Sequence, residues 1–355
     1  MLFLKMATNV KRLCDGGEIE AEKLNLLLML NQLPMSNRIT EAQKMHQRPP
    51  FGNTLLSEDA FTVLSLFDGM SCGQLALQRA GFNVSKYYAC EIDKYAIQVT
   101  QKNFPNTIQL GDVTKVNARD LSKVNLLIGG SPCQGFSFAG KQLNFDDPRS
   151  KLFFEFVRLK NECNPKYFLL ENVPMKKEFE QVITEYLQVE PLRINSNVFS
   201  AQDRKRVYWT NLPLNKVPDA CYIYIKDIVG FESDIPCEND VIDEVKKYTS
   251  RDFQISISKK GRIRPHRFDA KKSGISEVGT LVNPSDKCVT IIASHTPKTY
   301  KTNPFEIYEL NRNECEAIQG VPNNYTLPVS ERQAKKMLGN GWNVNTIAHI
   351  FGGLS

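Results

Sequence analysis

The sequence lacks long apolar runs and paired cysteines, and both absences exclude classes of protein. No apolar stretch approaches the roughly 20 residues that span a bilayer, and the segment Met1–Met6 is too short for the apolar core of a signal peptide. The nine cysteines are scattered, with no Cys-x-x-Cys pair. This usage supports neither a disulfide framework nor a zinc site. We therefore expect a cytoplasmic protein (nuclear in a eukaryote), neither secreted nor membrane-bound, with no metal.

The sequence also lacks a strong excess of either positive or negative charge. Lys and Arg number 45 against 39 Asp and Glu, which gives a net charge of +6. This balance permits a nucleic-acid partner without arguing for one. The 355 residues, 41% of them hydrophobic, suffice for one large core plus a smaller lobe. Neither composition nor length indicates an oligomeric state.

Short apolar runs alternate with helical segments from Thr62 onward. Such a succession predicts an α/β fold with a mostly parallel sheet, right-handed crossovers and ligand loops at the carboxyl ends of the strands. The runs predicted as strands are Val63–Phe67, Tyr87–Cys90, Ile108–Leu110, Val124–Ile128, Lys166–Leu170, Leu192–Ile194 and Val207–Asn211.

Changes of pattern predict three parts. Residues 1–60 form an N-terminal helical extension, which is either a packing appendage or a helix-turn-helix. Residues 61–212 and 310–355 form the α/β unit. Residues 213–309 are rich in turns and short β-like runs, contain the basic tract Lys259–Arg267, and are predicted as a small second lobe.

Acidic and glycine-rich segments follow the first three predicted strands. Asp68–Gly73 resembles a cofactor loop, but it lacks the GxGxxG pattern of pyrophosphate binding. Glu91 is placed to accept hydrogen bonds from ribose hydroxyls, although a surface carboxylate at a strand end is the alternative. Asp112 suits an adenine amino group. The three strand ends together favour an adenosine-type cofactor.

A cysteine follows the fourth predicted strand. In the stretch Leu126–Ser137, Pro132 stiffens the backbone immediately before Cys133. A structural cysteine is the alternative here. Glu171 ends the next strand, and a thiolate beside a carboxyl group suggests covalent catalysis with proton delivery. The charges at 204–206 are either a solvated run or a cationic neighbour that favours the thiolate.

The order of these motifs resembles that of the cytosine-C5 DNA methyltransferases, over Thr62–Phe351. The similar motifs are Phe67-Asp68-Gly69, Glu91-Ile92-Asp93, Gly111-Asp112-Val113, Gly130 to Ser137 with Pro132-Cys133, Glu171-Asn172-Val173, Gln202 to Arg206, Glu314 to Pro322, and Gly339-Asn340-Gly341. The resemblance implies a Rossmann-like S-adenosylmethionine-dependent methyltransferase fold. It also implies that 213–309 is a target-recognition domain.

The resemblance implies a covalent mechanism on a cytosine flipped out of duplex DNA. Cys133 would add to C6 and make C5 nucleophilic. Glu171 would hold N3 and the exocyclic amino group, and Arg206 would support the ring and its C2 oxygen, with Arg204 nearby. The methyl group would come from S-adenosyl-L-methionine.

The resemblance also implies two sets of binding residues. The cofactor set is Phe67, Asp68, Gly69, Cys72, Glu91, Ile92, Asp112, Pro132, Asn340, Gly341 and Trp342. The set expected on double-stranded DNA is Gln134, Ser137, Lys260, Arg262 and Arg264, where basic residues mainly contact phosphate.

Some positions depart from the bacterial pattern. Ser71, Trp342 and the segment Leu152–Phe156 are more similar to the de novo-type catalytic domain, whereas Gln134-Gly135 follows the bacterial type. We expect a stand-alone microbial or viral enzyme, of the kind found in restriction-modification. The alternatives are a tRNA cytosine-C5 methyltransferase and a catalytically inactive DNA-binding relative.

Overall fold

The computed structural model describes residues 61–131, 148–230, 253–257, 263–267, 282–294, 296–302 and 305–354. The predicted extension at 1–60 lies outside these ranges. So do six predicted site residues, namely Pro132, Cys133, Gln134, Ser137, Lys260 and Arg262. Arg264 lies within a described strand, for which the backbone alone is described.

A seven-stranded sheet organises the described chain, in the order β3-β2-β1-β4-β5-β8-β6. Its strands are β1 (Phe61–Leu66), β2 (Val84–Cys90), β3 (Ile108–Gln109), β4 (Leu126–Gly129), β5 (Tyr167–Asn172), β6 (Leu192–Asn195) and β8 (Lys205–Thr210), with β7 (Gln202–Asp203) outside the sheet. Neighbours pair in parallel except β8, which is antiparallel to both β5 and β6. The predicted α/β fold with a mostly parallel sheet is confirmed.

Helices lie between and after the strands, and some of them begin at a capping side chain. They are α1 (Cys72–Arg79), α2 (Lys94–Asn103), α3 (Pro148–Cys163), α4 (Lys177–Leu187), α5 (Ile225–Val229), α6 (Arg312–Gln319), α7 (Glu331–Asn340) and α8 (Val344–Phe351). The Asp93 carboxylate caps α2 by accepting from Tyr95 N–H. Asn311 and Glu314 form the predicted capping box of α6, which satisfies backbone N–H groups that a helix leaves unpaired.

Both faces of the sheet are buried, and the alternation of side chains along each strand divides the core in two. On β1, Val63 belongs to one hydrophobic cluster, and Leu64 belongs to the other. The first cluster includes α8, which packs against α1. The second contains Phe153 and Phe156 of α3, both fully buried. Helices on both faces leave the ends of the strands as the accessible part of the sheet.

Residues within 213–309 form two hairpins and short elements. The strands are β9 (Phe253–Ile257) paired with β10 (Ile263–Arg267), β12 (Lys298–Thr302) paired with β13 (Phe305–Glu309), and β11 (Cys288–Val289). Strand β11 pairs in parallel with β7. Val282 and Ile291 are buried in the cluster that contains α8, so this stretch packs on the α/β unit. The boundaries at 213 and 309 remain a prediction.

Two strand limits differ from the sequence expectation in a way that matters for the site. Strand β5 continues through Glu171 and Asn172, and β8 begins at Lys205 rather than Val207. Backbone pairing extends both strands: Glu171 and Asn172 pair with Tyr208 and Val207 of β8, and Lys205 and Arg206 pair with Asn195 and Ile194 of β6. Within the described ranges, no helix is long and apolar enough to cross a bilayer.

Candidate active site

The carboxyl ends of six strands and the amino end of β8 meet at one edge of the sheet. Because β8 runs antiparallel to β5, its first residues lie beside the last residues of β5. This reversal brings Arg206 next to Glu171, a juxtaposition that the spacing of the two motifs alone does not specify.

Glu171 and Arg206 form a buried ion pair. Arg206 Nε lies 2.8 Å from Glu171 Oε1, and the two side chains are 12% and 10% exposed. Removing one partner of such a pair leaves an uncompensated charge away from water. The pair therefore places a fixed carboxylate and a fixed guanidinium at the strand edge.

Asn172 connects this pair to the segment that leads to Cys133. Its side-chain amide donates to Ser131 Oγ at 3.1 Å, and both residues are buried. The Asn172 side-chain oxygen accepts from Val173 N–H. Strand β5 thereby fixes the chain two residues before the predicted nucleophile.

Arg204 has a different position from that expected of a base-contacting residue. The side chain is 2% exposed, and its guanidinium donates to the carbonyls of Ile291, Gly339 and Gly341 at 3.0, 3.1 and 2.8 Å. Burial, with the charge of Arg206, lowers its pKa to about 9. These bonds hold the chain around Gly341, and the catalytic role expected of Arg204 from the sequence stays a prediction.

The loop after β1 has a backbone conformation that few residues adopt. Phe67, Gly69 and Ser71 have φ values of 57°, 60° and 60°, a region where glycine is unstrained and other residues are not. The Asp68 carboxylate holds the loop by accepting from the hydroxyls of Ser71 and Tyr87. Burial raises the pKa of Asp68 to about 6.

Glu91 ties this loop to the end of β2. Its Oε2 accepts from Gly69 N–H at 2.7 Å, and its Oε1 accepts from the N–H groups of Ile92 and Asp93 at 2.8 Å each. A carboxylate has about four acceptor positions, so ligand hydroxyls still have room. The Ile92 side chain beside it is 78% exposed.

Asp112 presents a second carboxylate one strand further along. Its Oδ1 accepts from the backbone N–H and the hydroxyl of Thr114. These two bonds hold its pKa below the usual value. The bonds among the described residues use Oδ1, which leaves Oδ2 for a ligand.

Trp342 reaches the site from the C-terminal part of the chain. It follows Asn340, which is exposed at the end of α7, and Gly341. Its indole Nε1 donates to Glu171 Oε2 at 3.1 Å. The motif that contains Trp342 predicts it beside a cofactor, whereas its hydrogen bond to Glu171 is not predicted by the sequence.

The cysteine thiols described at this edge are unsuited to nucleophilic attack. Cys72, expected in the cofactor set, is buried, and burial raises its pKa to about 12, as it does for Cys90. The thiolate is the reactive form, so neither is a nucleophile at neutral pH. In the ranges that the structure describes, no three His, Cys, Asp or Glu residues are grouped to hold a metal.

The edge has two chemical regions. One contains the Glu91 and Asp112 carboxylates, which accept hydrogen bonds and so fit ribose hydroxyls and an amino group, together with Phe67 and the exposed Ile92, which fit the face of a planar ring. The other contains Glu171 and Arg206, which fit a planar polar ring with both donors and acceptors. Trp342 lies at the boundary, since its indole contacts Glu171.

Comparison with known proteins gives consistent matches. The model of the C-5 cytosine-specific DNA methylase family matches residues 61–355. The chain is 28% identical to the Type II methyltransferase M1.ScrFI of Lactococcus lactis subsp. cremoris, over 89% of this chain and 83% of that protein. It is 28% identical to the Type II methyltransferase M.HhaI of Haemophilus parahaemolyticus, over 81% and 92%.

A solved structure matches the fold. The crystal structure of a putative DNA modification methyltransferase encoded within an E. coli prophage has a TM-score of 0.60 and 22% identity. The match covers 83% of this chain and 98% of that one.

Proposed function

Since the family match covers residues 61–355, the chain belongs to the C-5 cytosine-specific DNA methylase family, and we propose that it methylates C5 of cytosine in double-stranded DNA with S-adenosyl-L-methionine as donor. One observation carries this proposal. The Glu171–Arg206 pair stands at the same strand edge as the segment that leads to Cys133, beside carboxylate acceptors suited to adenosine.

The base pocket of this proposal is built by Glu171 and Arg206. A carboxylate accepts from the exocyclic amino group of cytosine, and in its protonated form it donates to N3. A guanidinium donates to the C2 oxygen. Because both groups are largely buried, their hydrogen bonds to a ring are stronger than they would be in water. The ring reaches them only after the nucleotide leaves the stacked duplex.

Cys133 is the proposed nucleophile. Its thiolate forms a bond to C6, and the electron pair of the C5–C6 double bond moves so that C5 becomes nucleophilic. Bound S-adenosyl-L-methionine would supply the methyl group that C5 takes up, with S-adenosylhomocysteine as the leaving group. Loss of the C5 proton to a base then restores the double bond and expels the thiolate. Asn172 supports this step by fixing Ser131, two residues before Cys133.

Residues after β1, β2 and β3 are proposed to bind the donor. Glu91 would accept from the ribose hydroxyls, Asp112 would accept from the adenine amino group through Oδ2, and Ile92 would cover a face of the ring. The exposure of Ile92 and the unused oxygen of Asp112 support this assignment. Phe67, Asp68 and Gly69 shape the loop that approaches the ligand.

The DNA-contacting residues remain proposals from the sequence. Gln134, Ser137, Lys260, Arg262 and Arg264 would approach the duplex, with 213–309 as the target-recognition domain. The relatives named Type II methyltransferases favour a role in restriction-modification. The likeness of Trp342 and Leu152–Phe156 to the de novo-type subfamily also remains a prediction.

Methylation mapping tests the proposal. The purified protein is incubated with S-adenosyl-L-methionine and either duplex DNA or tRNA, and 5-methylcytosine is then mapped at base resolution. We expect methylation of DNA within a defined sequence context. Methylation of tRNA alone would reassign the substrate. DNA binding without methylation of either would favour an inactive relative.

Two cysteine-to-serine variants test the mechanism. Cys133→Ser should abolish turnover and retain cofactor binding. Cys163→Ser is the control, because Cys163 lies at the end of α3 and is half-buried. A duplex with 5-fluorocytosine at the mapped position should trap the adduct with the unaltered protein, because fluorine does not leave C5 as a proton does. Turnover by Cys133→Ser would refute the covalent mechanism.

A further inference from the structure

Two donors hold the carboxylate of Glu171 from opposite parts of the chain. Arg206 Nε donates to Oε1 at 2.8 Å, and Trp342 Nε1 donates to Oε2 at 3.1 Å. Arg206 belongs to the sheet, whereas Trp342 belongs to the segment between α7 and α8. Each oxygen of Glu171 therefore has one fixed donor.

Two glycines make room for the indole. A Cβ atom on Gly130 would lie 2.9 Å from Trp342 Nε1 and 3.2 Å from Glu171 Oε2. A Cβ atom on Gly73 would lie 3.3 Å from Trp342 Cζ3. Contacts this short would displace the ring or the carboxylate. The indole is therefore packed between the cofactor-loop side of the sheet and the segment that leads to Cys133.

The backbone that carries Trp342 is itself held in place. Arg204 donates to the carbonyls of Gly339 and Gly341. Gln319 donates to the carbonyls of Leu338 and Gly341. The Asn343 amide, immediately after Trp342, donates to Ser200 Oγ and to the Ile318 carbonyl at 3.1 Å each. A ring on such a segment has little freedom to leave Glu171.

Geometry explains what a second donor adds. The terminal torsion of a glutamate side chain has a broad, roughly two-fold energy profile, so one hydrogen bond to Oε1 leaves the carboxylate plane free to rotate. A donor on Oε2 fixes that plane. The indole N–H is a donor and never an acceptor. In its hydrogen bond to Glu171 the indole therefore always donates and the carboxylate oxygen always accepts.

We propose that Trp342 is a positioning residue for Glu171, which fixes the plane of the carboxylate that receives the cytosine ring. This inference rests on the proposed function, since it assigns Glu171 to the base. Trp342 acts through Glu171, and its contact with the cofactor region is a separate role.

The chain contains two tryptophans, and the second provides a matched control. Trp209 Nε1 donates to Thr184 Oγ1 at 3.0 Å, within the other hydrophobic cluster. Replacement by phenylalanine removes one indole N–H in each case. Trp342→Phe and Trp209→Phe thus delete the same group, which donates to Glu171 in one case and to Thr184 in the other.

Kinetic constants separate the effect of the indole N–H on Glu171 from the effect of the aromatic ring on cofactor binding. For Trp342→Phe we expect kcat for DNA methylation to fall by roughly 10- to 100-fold, the range for a lost hydrogen bond to a charged group. The KM for S-adenosyl-L-methionine should change less than about 3-fold, because the aromatic ring is retained. Trp209→Phe should lower the melting temperature and leave kcat within about 2-fold. An unchanged kcat in Trp342→Phe, or an effect confined to KM, would overturn the proposal.

Fluorescence tests the contact without turnover. In Trp209→Phe, Trp342 is the remaining tryptophan, and its emission reports its surroundings. Adding Glu171→Gln to that variant should shift the emission maximum, whereas adding Glu180→Gln, a buried carboxylate on α4, should not. If the unaltered protein fails to methylate nucleic acid, the proposed function fails and the emission shift still reports the contact. An active protein with identical emission in all three variants would overturn the inference alone.

Discussion

The side-chain amide of Asn172 donates to the hydroxyl of Ser131 at 3.1 Å, although 41 residues separate them in the chain. Asn172 follows Glu171 directly, and Ser131 precedes Cys133 by two positions. The end of β5 therefore fixes two things at once: the carboxylate of the base pocket and the origin of the segment that carries the predicted nucleophile.

Ser131→Ala should weaken both the fold and the chemical step. The change removes the hydroxyl that accepts from Asn172 and leaves that amide to a 3.5 Å contact with the Ser131 carbonyl. We expect a loss of about 1 kcal/mol in the free energy of unfolding and a roughly 10-fold slower single-turnover methylation rate. Denaturant unfolding and rapid-quench kinetics measure the two effects.

Thr210→Val is the control for this prediction. The Thr210 hydroxyl donates to the Phe168 carbonyl at 2.6 Å, toward the opposite end of the β5–β8 pair. Thr210→Val should lower the free energy of unfolding by an amount similar to that for Ser131→Ala, without slowing methylation. Equal slowing by both variants would mean that the rate follows stability and not the position of the Cys133 segment.

Glu171→Gln should abolish most turnover while the protein stays folded and binds the cofactor. The amide keeps the shape of the side chain but leaves Arg206, 12% exposed, without its counter-charge. We expect kcat to fall by at least about 100-fold, with the Kd for S-adenosylhomocysteine unchanged within about 3-fold by calorimetry.

Glu180→Gln is the matched control, because Glu180 is also a buried carboxylate paired with an arginine, Arg193. Arg193 is 59% exposed, so water solvates its charge when Glu180 is replaced. The free energy of unfolding of Glu180→Gln should therefore fall by less than about 1 kcal/mol. Retained activity in Glu171→Gln would remove Glu171 from the base pocket.

Much of the fold follows from local patterns in the sequence. Apolar runs of strand length, separated by capped helices, predict a parallel sheet, and the rule that ligands bind at the carboxyl ends of strands brings Glu91, Asp112 and Glu171 to one edge. These side chains follow or end β2, β3 and β5. Such inferences need only the period of the pattern and the direction of a parallel strand.

The remaining features depend on contacts between distant segments. Arg204 and Arg206 are two residues apart and would point the same way on one strand, but Arg204 lies in the break between β7 and β8. The two guanidinium groups consequently differ, with one on Glu171 and the other on three carbonyls. The hydrogen bond between Trp342 and Glu171 joins residues that are 171 positions apart in the chain. The one local sign of this contact is glycine at positions 73 and 130, where a Cβ atom would meet the indole.

Asp68 should make stability fall as the pH rises from about 4 to 6. Burial raises its pKa from 3.8 to about 6 in the folded state, so in this window the folded protein holds a proton that the unfolded chain has released. Stability then declines with pH, by up to about 3 kcal/mol at 1.4 kcal/mol per pH unit. Asp68→Asn should remove this component. Urea unfolding at pH 4.5 to 7.5 measures it, and parallel curves for the two proteins would refute the prediction.

Arg204→Met should lower stability first and activity second. The change removes three hydrogen bonds to carbonyls, of which those of Ile291 and Gly339 are buried, and unsatisfied buried acceptors cost about 1–3 kcal/mol each before relaxation. We expect a loss of about 3 kcal/mol in the free energy of unfolding and a raised KM for S-adenosyl-L-methionine, because the Gly341 carbonyl directly precedes Trp342.

The adjacent Lys205 supplies the control, since it is exposed and Lys205→Met should change stability by less than about 0.5 kcal/mol. Arg204→Lys should be intermediate, because one ammonium group does not reproduce the planar fork of a guanidinium. The pattern of losses distinguishes two roles for Arg204. If Arg204 is a positioning residue, its replacement lowers both the free energy of unfolding and the affinity for the cofactor. If Arg204 contacts the base, its replacement lowers kcat and leaves the free energy of unfolding unchanged. If Arg204→Met showed the second pattern, the catalytic role predicted from the sequence would be right and the positioning role inferred from its burial would be wrong.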